Sequence, residues 1–182
     1  MANIIQQRKL DKAFGHLDVD RNGYVEAQDL TALGVRLLAN FGVGYEDPRA
    51  RKIADGFSTF WVALAAALDA DGDERLSPQE YRDGMLAGFG GPDDAFDRHF
   101  RPGALAVLEL ADTDGDGYLG PEEFATMQNA FGTTREESDF AFGRLDLDGD
   151  GRLSLDELIV AVREFYVGGD ENAVGTWFFG RV

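Results

Sequence analysis

Apolar residues return along this chain at spacings of three and four, which is the period of a helix with one buried face. Leu10, Ala13, Phe14 and Leu17 form the first such set, and Leu30, Leu33 and Leu37 form the next. Trp61, Leu64, Ala65 and Leu68 are answered by Tyr81 and Met85. Ala104, Val107, Leu108 and Ala111 are answered by Phe124, Met127 and Phe131. Ala141, Phe142 and Leu145 are answered by Leu158, Ala161, Val162 and Phe165. Between the members of each pair lies a short run of Asp and Gly with a single apolar position near its end. The pattern predicts an all-α protein in which a helix-loop-helix unit occurs four times, in two pairs.

The connection between the first two loops is longer than that between the last two, and extra helix is the expected filler. Pro48 suits the first turn of a helix, where a missing N–H costs nothing, and the residues from there to Leu68 have room for a long one. Pro102 falls inside the fifth helical stretch and is expected to break or kink it. The run Gly88-Phe-Gly-Gly-Pro92 marks the best boundary between halves. The expected organisation is therefore an N-terminal pair over 1–90, a C-terminal pair over 91–167, and a tail over 168–182 whose Trp177, Phe178 and Phe179 dock between the two halves.

The four polar runs share a ligand spacing. A calcium ion takes six to eight hard oxygens, and a twelve-residue loop supplies them from side chains at positions 1, 3, 5, 9 and 12 and a carbonyl at position 7. The third loop offers Asp112, Asp114, Asp116, the Tyr118 carbonyl and Glu123, with Gly117 at the sharp turn and water expected at Gly120. The fourth offers Asp146, Asp148, Asp150, the Arg152 carbonyl, Ser154 and Glu157. The first offers Asp18, Asp20, Asn22, the Tyr24 carbonyl, Glu26 and Asp29. Its closing residue is Asp rather than Glu, and a contracted site shifts toward magnesium, which is smaller and octahedral. The second offers Asp69, Asp71, Asp73, the Arg75 carbonyl, Ser77 and Glu80, but Glu74 stands where glycine is expected, so the loop is predicted to be strained rather than abolished. Position 8 is apolar in every loop (Val25, Leu76, Leu119, Leu153), which predicts a short ribbon joining the first loop to the second and the third to the fourth. One Asp-rich turn alone would carry little weight, since Asp, Asn and Gly build ordinary turns. Fourfold recurrence of spacing, closing acid and flanking amphipathic helices favours metal.

Composition narrows the partners. With 34 acidic and 17 basic residues the net charge is −17, which opposes phosphate backbones and anionic membranes and favours cations. Fourteen Phe, five Tyr and 44% hydrophobic residues supply a core, which an acidic disordered chain would lack. Without cysteine there is no thiol chemistry, disulfide or Cys-based zinc site, and His16 and His99, with no partner at ligand spacing, are expected to be ordinary helix residues. Charge arrives early at Arg8 and Lys9, before any apolar run suited to a signal peptide, and the stretch from Phe60 to Leu68 is about half a membrane span. A cytoplasmic monomer is the expectation.

The four loops, Asp29 closing the first, the long first connection and the helix Asp156-Glu-Leu-Ile-Val-Ala-Val-Arg-Glu-Phe-Tyr166 together resemble the calerythrin and sarcoplasmic calcium-binding group of the EF-hand family. The resemblance implies two EF-hand pairs packed face to face, binding three to four calcium ions at the positions named and serving as a buffer or carrier. The chain departs from calerythrin at the second hand, which keeps Asp69, Asp71, Asp73 and Glu80 here. A sensor that recruits a partner protein is the alternative, although the chain has only Met1, Met85 and Met127 for an adaptable groove. Photoproteins share the architecture, but a light-emitting enzyme needs a pocket furnished with His and Tyr, so no catalytic role is expected.

Overall fold

The computed structural model describes residues 3–89 and 95–182; Gly90, Gly91 and Pro92, the centre of the expected boundary between halves, lie outside them. The helices are α1 (Ile4–Leu17), α2 (Ala27–Asn40), α3 (Pro48–Leu68), α4 (Pro78–Gly84), α5 (Ala95–Ala111), α6 (Pro121–Ala130), α7 (Arg135–Leu145) and α8 (Leu155–Val167). A π-helical stretch, Met85–Phe89, prolongs α4, and a 3-10 turn, Val174–Trp177, lies in the tail. Strands β1 (Tyr118–Leu119) and β2 (Leu153–Ser154) pair antiparallel with Leu119 opposite Leu153, and Val25 bridges Leu76 in the same sense. The four helix-loop-helix units and both inter-loop ribbons follow the sequence pattern.

Five of the helices, α1, α3, α4, α7 and α8, start where the sequence offers a side-chain cap. Asn3 accepts the Gln6 N–H at 2.9 Å while Gln6 returns a bond to the Asn3 N–H at 3.1 Å. Asp47 accepts from Arg49 N ahead of Pro48, and the long α3 that follows fills the first connection. Ser77, Thr134 and Ser154 cap α4, α7 and α8, each with Glu three residues on. In the exit helices that Glu is also the closing acid of the loop.

Helix α5 runs without a break through Pro102, contrary to a break there. A proline inside a helix costs roughly 3 kcal/mol through its lost N–H and its clash with the preceding turn. Packing on both sides offsets that cost here. Phe100 stacks edge-on against Phe60 at 4.5 Å and lies 5.1 Å from Tyr166, while Val107 and Leu110 are buried one and two turns later. The Pro102 ring itself faces solvent. Just beyond it α5 crosses α3 closely: a Cβ on Gly56 would lie 3.3 Å from the Gly103 Cα.

The halves interlock. Helix α1 packs on both α4 and α8, α2 on both α3 and α6, and α3 on α5. One core cluster takes in Leu10, Leu33, Phe57, Leu110, Phe124 and Phe165 together. Polar ties cross the same seam: Arg36 donates to the Ala130 carbonyl at 3.1 Å, Asn40 to that of Thr126 at 3.3 Å, and Lys9 to that of Glu164 at 2.7 Å. The tail lies across the seam as well. Phe179 meets His16 at 4.6 Å and Phe165 at 5.0 Å, Phe178 meets Phe124 at 6.0 Å, and both phenylalanines are buried. Trp177, the most prominent residue of the tail in sequence, is only half-buried, against Phe140 at 5.6 Å. Among the described residues no helix is long and apolar enough to cross a membrane.

Candidate metal centres

Each loop is wound around its first residue. The carboxylate of Asp112 accepts from Gly115 N at 2.7 Å, Asp116 N at 3.1 Å and Gly117 N at 3.0 Å, and Asp146 does the same with Gly149, Asp150 and Gly151. Asp18 accepts from Asn22 N and Gly23 N, and Asp69 from Gly72 N and Glu74 N. Position 5 holds the turn to position 7: Asn22, Asp73, Asp116 and Asp150 accept the N–H of Tyr24, Arg75, Tyr118 and Arg152.

The closing acids tie the loop ends together. Glu123 accepts from Thr113 N at 2.7 Å with one oxygen and from Gly120 N at 3.0 Å with the other. Glu80 bridges Ala70 N and Ser77 N in the same way, and Glu157 accepts from both the N–H and hydroxyl of Ser154. Bonds from the Ser77 N–H and hydroxyl hold Glu80 below the usual carboxyl range. Burial works against Glu123, but bonds from Thr113 and Gly120 still leave it depressed. Asp29 differs. It is 1% exposed, and burial raises its carboxyl in spite of amide bonds from Glu26, Asp20 and Val19. Asp29 is buried where the other three closing acids are partly exposed.

Carboxylate oxygens converge in all four loops. Asp18, Asp20 and Asp29; Asp69, Asp71 and Asp73; Asp112, Asp114 and Glu123; and Asp146, Asp148 and Asp150 each bring ligand atoms within 4.8 Å of one another. Like charges so close repel strongly unless a cation lies among them. The donors are oxygens alone, which suits a hard divalent ion and not a thiolate- or imidazole-loving metal. Glu26, Glu80, Asp116 and Glu157 stand outside these groupings, and the hydroxyls of Ser77 and Ser154 donate to Glu80 and Glu157. Glu26 lies 3.9 Å from the Arg75 guanidinium.

The strain expected at Glu74 is present: its φ is 63°. Arg21 at position 4 of the first loop has φ 59°, which sequence reading missed. Glycine occupies position 4 in the other three loops, as Gly72, Gly115 and Gly149, all with positive φ, and that alignment carried the signal. Each of the last two loops thus has glycine at both left-handed positions, and each of the first two has one residue with a Cβ there.

The fold and the loops define a helix-loop-helix protein with four acidic loops, and comparison with known proteins places it among calcium binders. The sequence profile of the EF-hand domain pair matches residues 104–163. Calerythrin of Saccharopolyspora erythraea is 28% identical over 92% of this chain and 96% of its own. A Streptomyces coelicolor calcium-binding protein, whose structure was described as a basis for prokaryotic calcium-mediated regulation, is 30% identical with a TM-score of 0.82, covering 91% of this chain and 99% of that one. The luciferin-binding protein of Renilla reniformis is 26% identical over 95% of this chain and 92% of its own. The chain belongs to the EF-hand family and binds calcium, and over nearly its whole length it is similar to calerythrin.

Proposed function

We propose that the protein is a cytoplasmic, monomeric calcium buffer that holds three to four ions and catalyses no reaction. The ligands are the oxygens of Asp112, Asp114, Asp116, Tyr118 and Glu123 in the third loop and Asp146, Asp148, Asp150, Arg152, Ser154 and Glu157 in the fourth. In the second loop they are those of Asp69, Asp71, Asp73, Arg75, Ser77 and Glu80, and in the first those of Asp18, Asp20, Asn22, Tyr24, Glu26 and Asp29. When bound, the ion neutralises these carboxylates and fixes the loops. The first loop exchanges calcium for magnesium, because the short, buried Asp29 favours a contracted site. The units are the pairs 1–90 and 91–167, with the tail 168–182 sealing the seam.

The continuous core carries this reading. A sensor must open an apolar face when it loads, whereas here the helices of both pairs and the tail already bury theirs against one another. A specific observation favours a second reading. A groove of about 410 Å³ between α2 and α3, lined by Val35, Leu38, Tyr45, Ile53, Phe57 and Trp61, leaves Tyr45 76% exposed, and the Streptomyces relative is associated with regulation. Similarity to a luciferin-binding protein raises a ligand-carrying role, but the apolar cavity beneath Phe57, Phe100, Tyr166 and Phe179 measures about 90 Å³, against roughly 300–1,000 Å³ for organic-ligand sites.

Calorimetric titration with calcium, alone and in excess magnesium, combined with a dye that fluoresces on apolar surface, tests the proposal. A buffer gives heats for three to four ions, one of them suppressed by magnesium, with no rise in dye signal on loading. A large dye signal specific to calcium would establish the sensor instead.

A further inference from the structure

The same contact occurs twice, once in each pair of loops. Arg75, at position 7 of the second loop, lies 4.7 Å over the ring of Tyr24, at position 7 of the first. Its guanidinium is 3.2 Å from Asp73 in its own loop and 3.9 Å from Glu26 in the other. Arg152, at position 7 of the fourth loop, lies 4.4 Å over the ring of Tyr118, at position 7 of the third. It is 3.4 Å from Asp150 in its own loop and 3.6 Å from Asp116 in the other. In both pairs the ribbon that joins the loops sets the two position-7 side chains side by side. A flat guanidinium can lie on the ring while its edge donors reach carboxylates on both sides, which a lysine ammonium cannot do.

We propose that Arg75 and Arg152 are tethered counter-cations that regulate the loading of their loop pairs, each competing with calcium for carboxylates of both loops at once. This rests on the ligand assignment above, because Asp73, Asp116, Asp150 and Glu26 must be the groups that receive the ion. Three effects follow from a permanently charged group in that place. It reduces repulsion among acids while the loops are unfilled, so it stabilises the unfilled pair. It opposes the approach of a divalent ion, so it lowers the affinity of the pair. It also links the two sites: once one loop is filled, its carboxylate no longer engages the guanidinium, the arginine turns outward, and the neighbouring loop is left with less opposing charge. Each pair then loads cooperatively.

The sign of one substitution separates this role from a structural one. Arg152→Gln in the full-length protein is titrated with calcium at low ionic strength and followed by the amide resonances of Gly117 and Gly151. These donate to Asp112 and Asp146 and report the two loops separately. A single charge several ångströms from a divalent ion predicts tighter binding of the first ion of the pair by about two- to tenfold, together with a less cooperative curve. Melting in chelator should occur at a lower temperature than for wild type. Arg152→Lys, which keeps the charge and loses the flat donors, should shift in the same direction by less. Weaker or unchanged calcium binding in Arg152→Gln would overturn the proposal, since a mere prop for the ribbon weakens the site when removed. Equal effects of the Gln and Lys variants would also overturn it. If Arg152→Gln does not fold in chelator, competition with a chromophoric chelator starting from the loaded protein gives the same affinity, and Arg75→Gln repeats the test in the other pair. If the wild-type amides of Gly117 and Gly151 do not respond to calcium, the ligand assignment fails; if they respond identically in wild type and variant, only the role of the arginine fails.

Discussion

Glu74 and Lys9 each hold a conformation or a charge that the fold tolerates at a cost. Glu74 is left-handed at φ 63°, where a Cβ costs on the order of 1 kcal/mol. Glu74→Gly should therefore stabilise the calcium-loaded protein by up to about 1 kcal/mol in urea unfolding, and destabilisation would place the strain elsewhere. Lys9 is 1% exposed, with its ammonium donating to the Glu164 carbonyl and lying 6.0 Å from the Phe165 ring centroid. Burial lowers its pKa to about 8 from 10.5, against the pull of Glu164 and Asp170. The folded state thus holds this proton less tightly than the unfolded chain, so the penalty is complete below about pH 8 and fades as pH rises toward about 10.5. Compared with Lys9→Met, the wild type should gain stability between pH 7 and pH 10, on the order of 2 kcal/mol by urea unfolding at each pH; a constant gap would refute this. The strain at Glu74 was legible in sequence because one loop position demands glycine. The burial of Lys9 was not, because a lysine that follows Gln6, Gln7 and Arg8 in α1 reads as solvated until α8 is laid across it.

At the scale of elements, the helices and ribbons were legible because apolar spacing and position 8 report burial locally, as at Leu10, Ala13, Phe14 and Leu17, all of which are buried. Continuity through Pro102 was not, because the stacking of Phe100 on Phe60 that holds it together comes from helix α3, far away in sequence. The tail is the element on which the docking proposal turns. Its 3-10 turn lies directly on α8, since a Cβ on Gly175 would fall 2.3 Å from the Ala161 carbonyl oxygen. Beyond it Phe178 and Phe179 are 5% and 2% exposed. Emptying one buried phenylalanine site costs roughly 3–5 kcal/mol. Truncation after Gly169 should lower the melting temperature of the loaded protein by more than about 6 °C, and Phe179→Ala by a large part of that. A truncated chain that melts with the full one would show the tail to be dispensable.

Across the whole molecule the governing quantity is charge. Of the 34 acids, 19 lie in the four loops, and four calcium ions would move the net charge from −17 to −9. Chelation should therefore loosen the packing, seen as a loss of near-ultraviolet circular dichroism that returns with calcium; identical spectra in both conditions would refute it. The location of the four acidic loops was legible because their carboxylates recur at one spacing. Their connection was not: nothing in a single loop announces that Asn40 will donate to Thr126, or that the tail will close against the first helix. That closure bears on how the chain is made. Phe179 rests on His16, and Lys12 donates to the carbonyl of Arg181, so part of the first helix's surroundings is supplied by residues synthesised long after it. On the ribosome, the first hand can wind its loop as soon as it emerges, yet it stays incompletely covered until translation has passed residue 181. Consolidation of the seam thus waits for residues 178–181, and a chain interrupted before Phe178 keeps all four loop sequences but leaves that seam open.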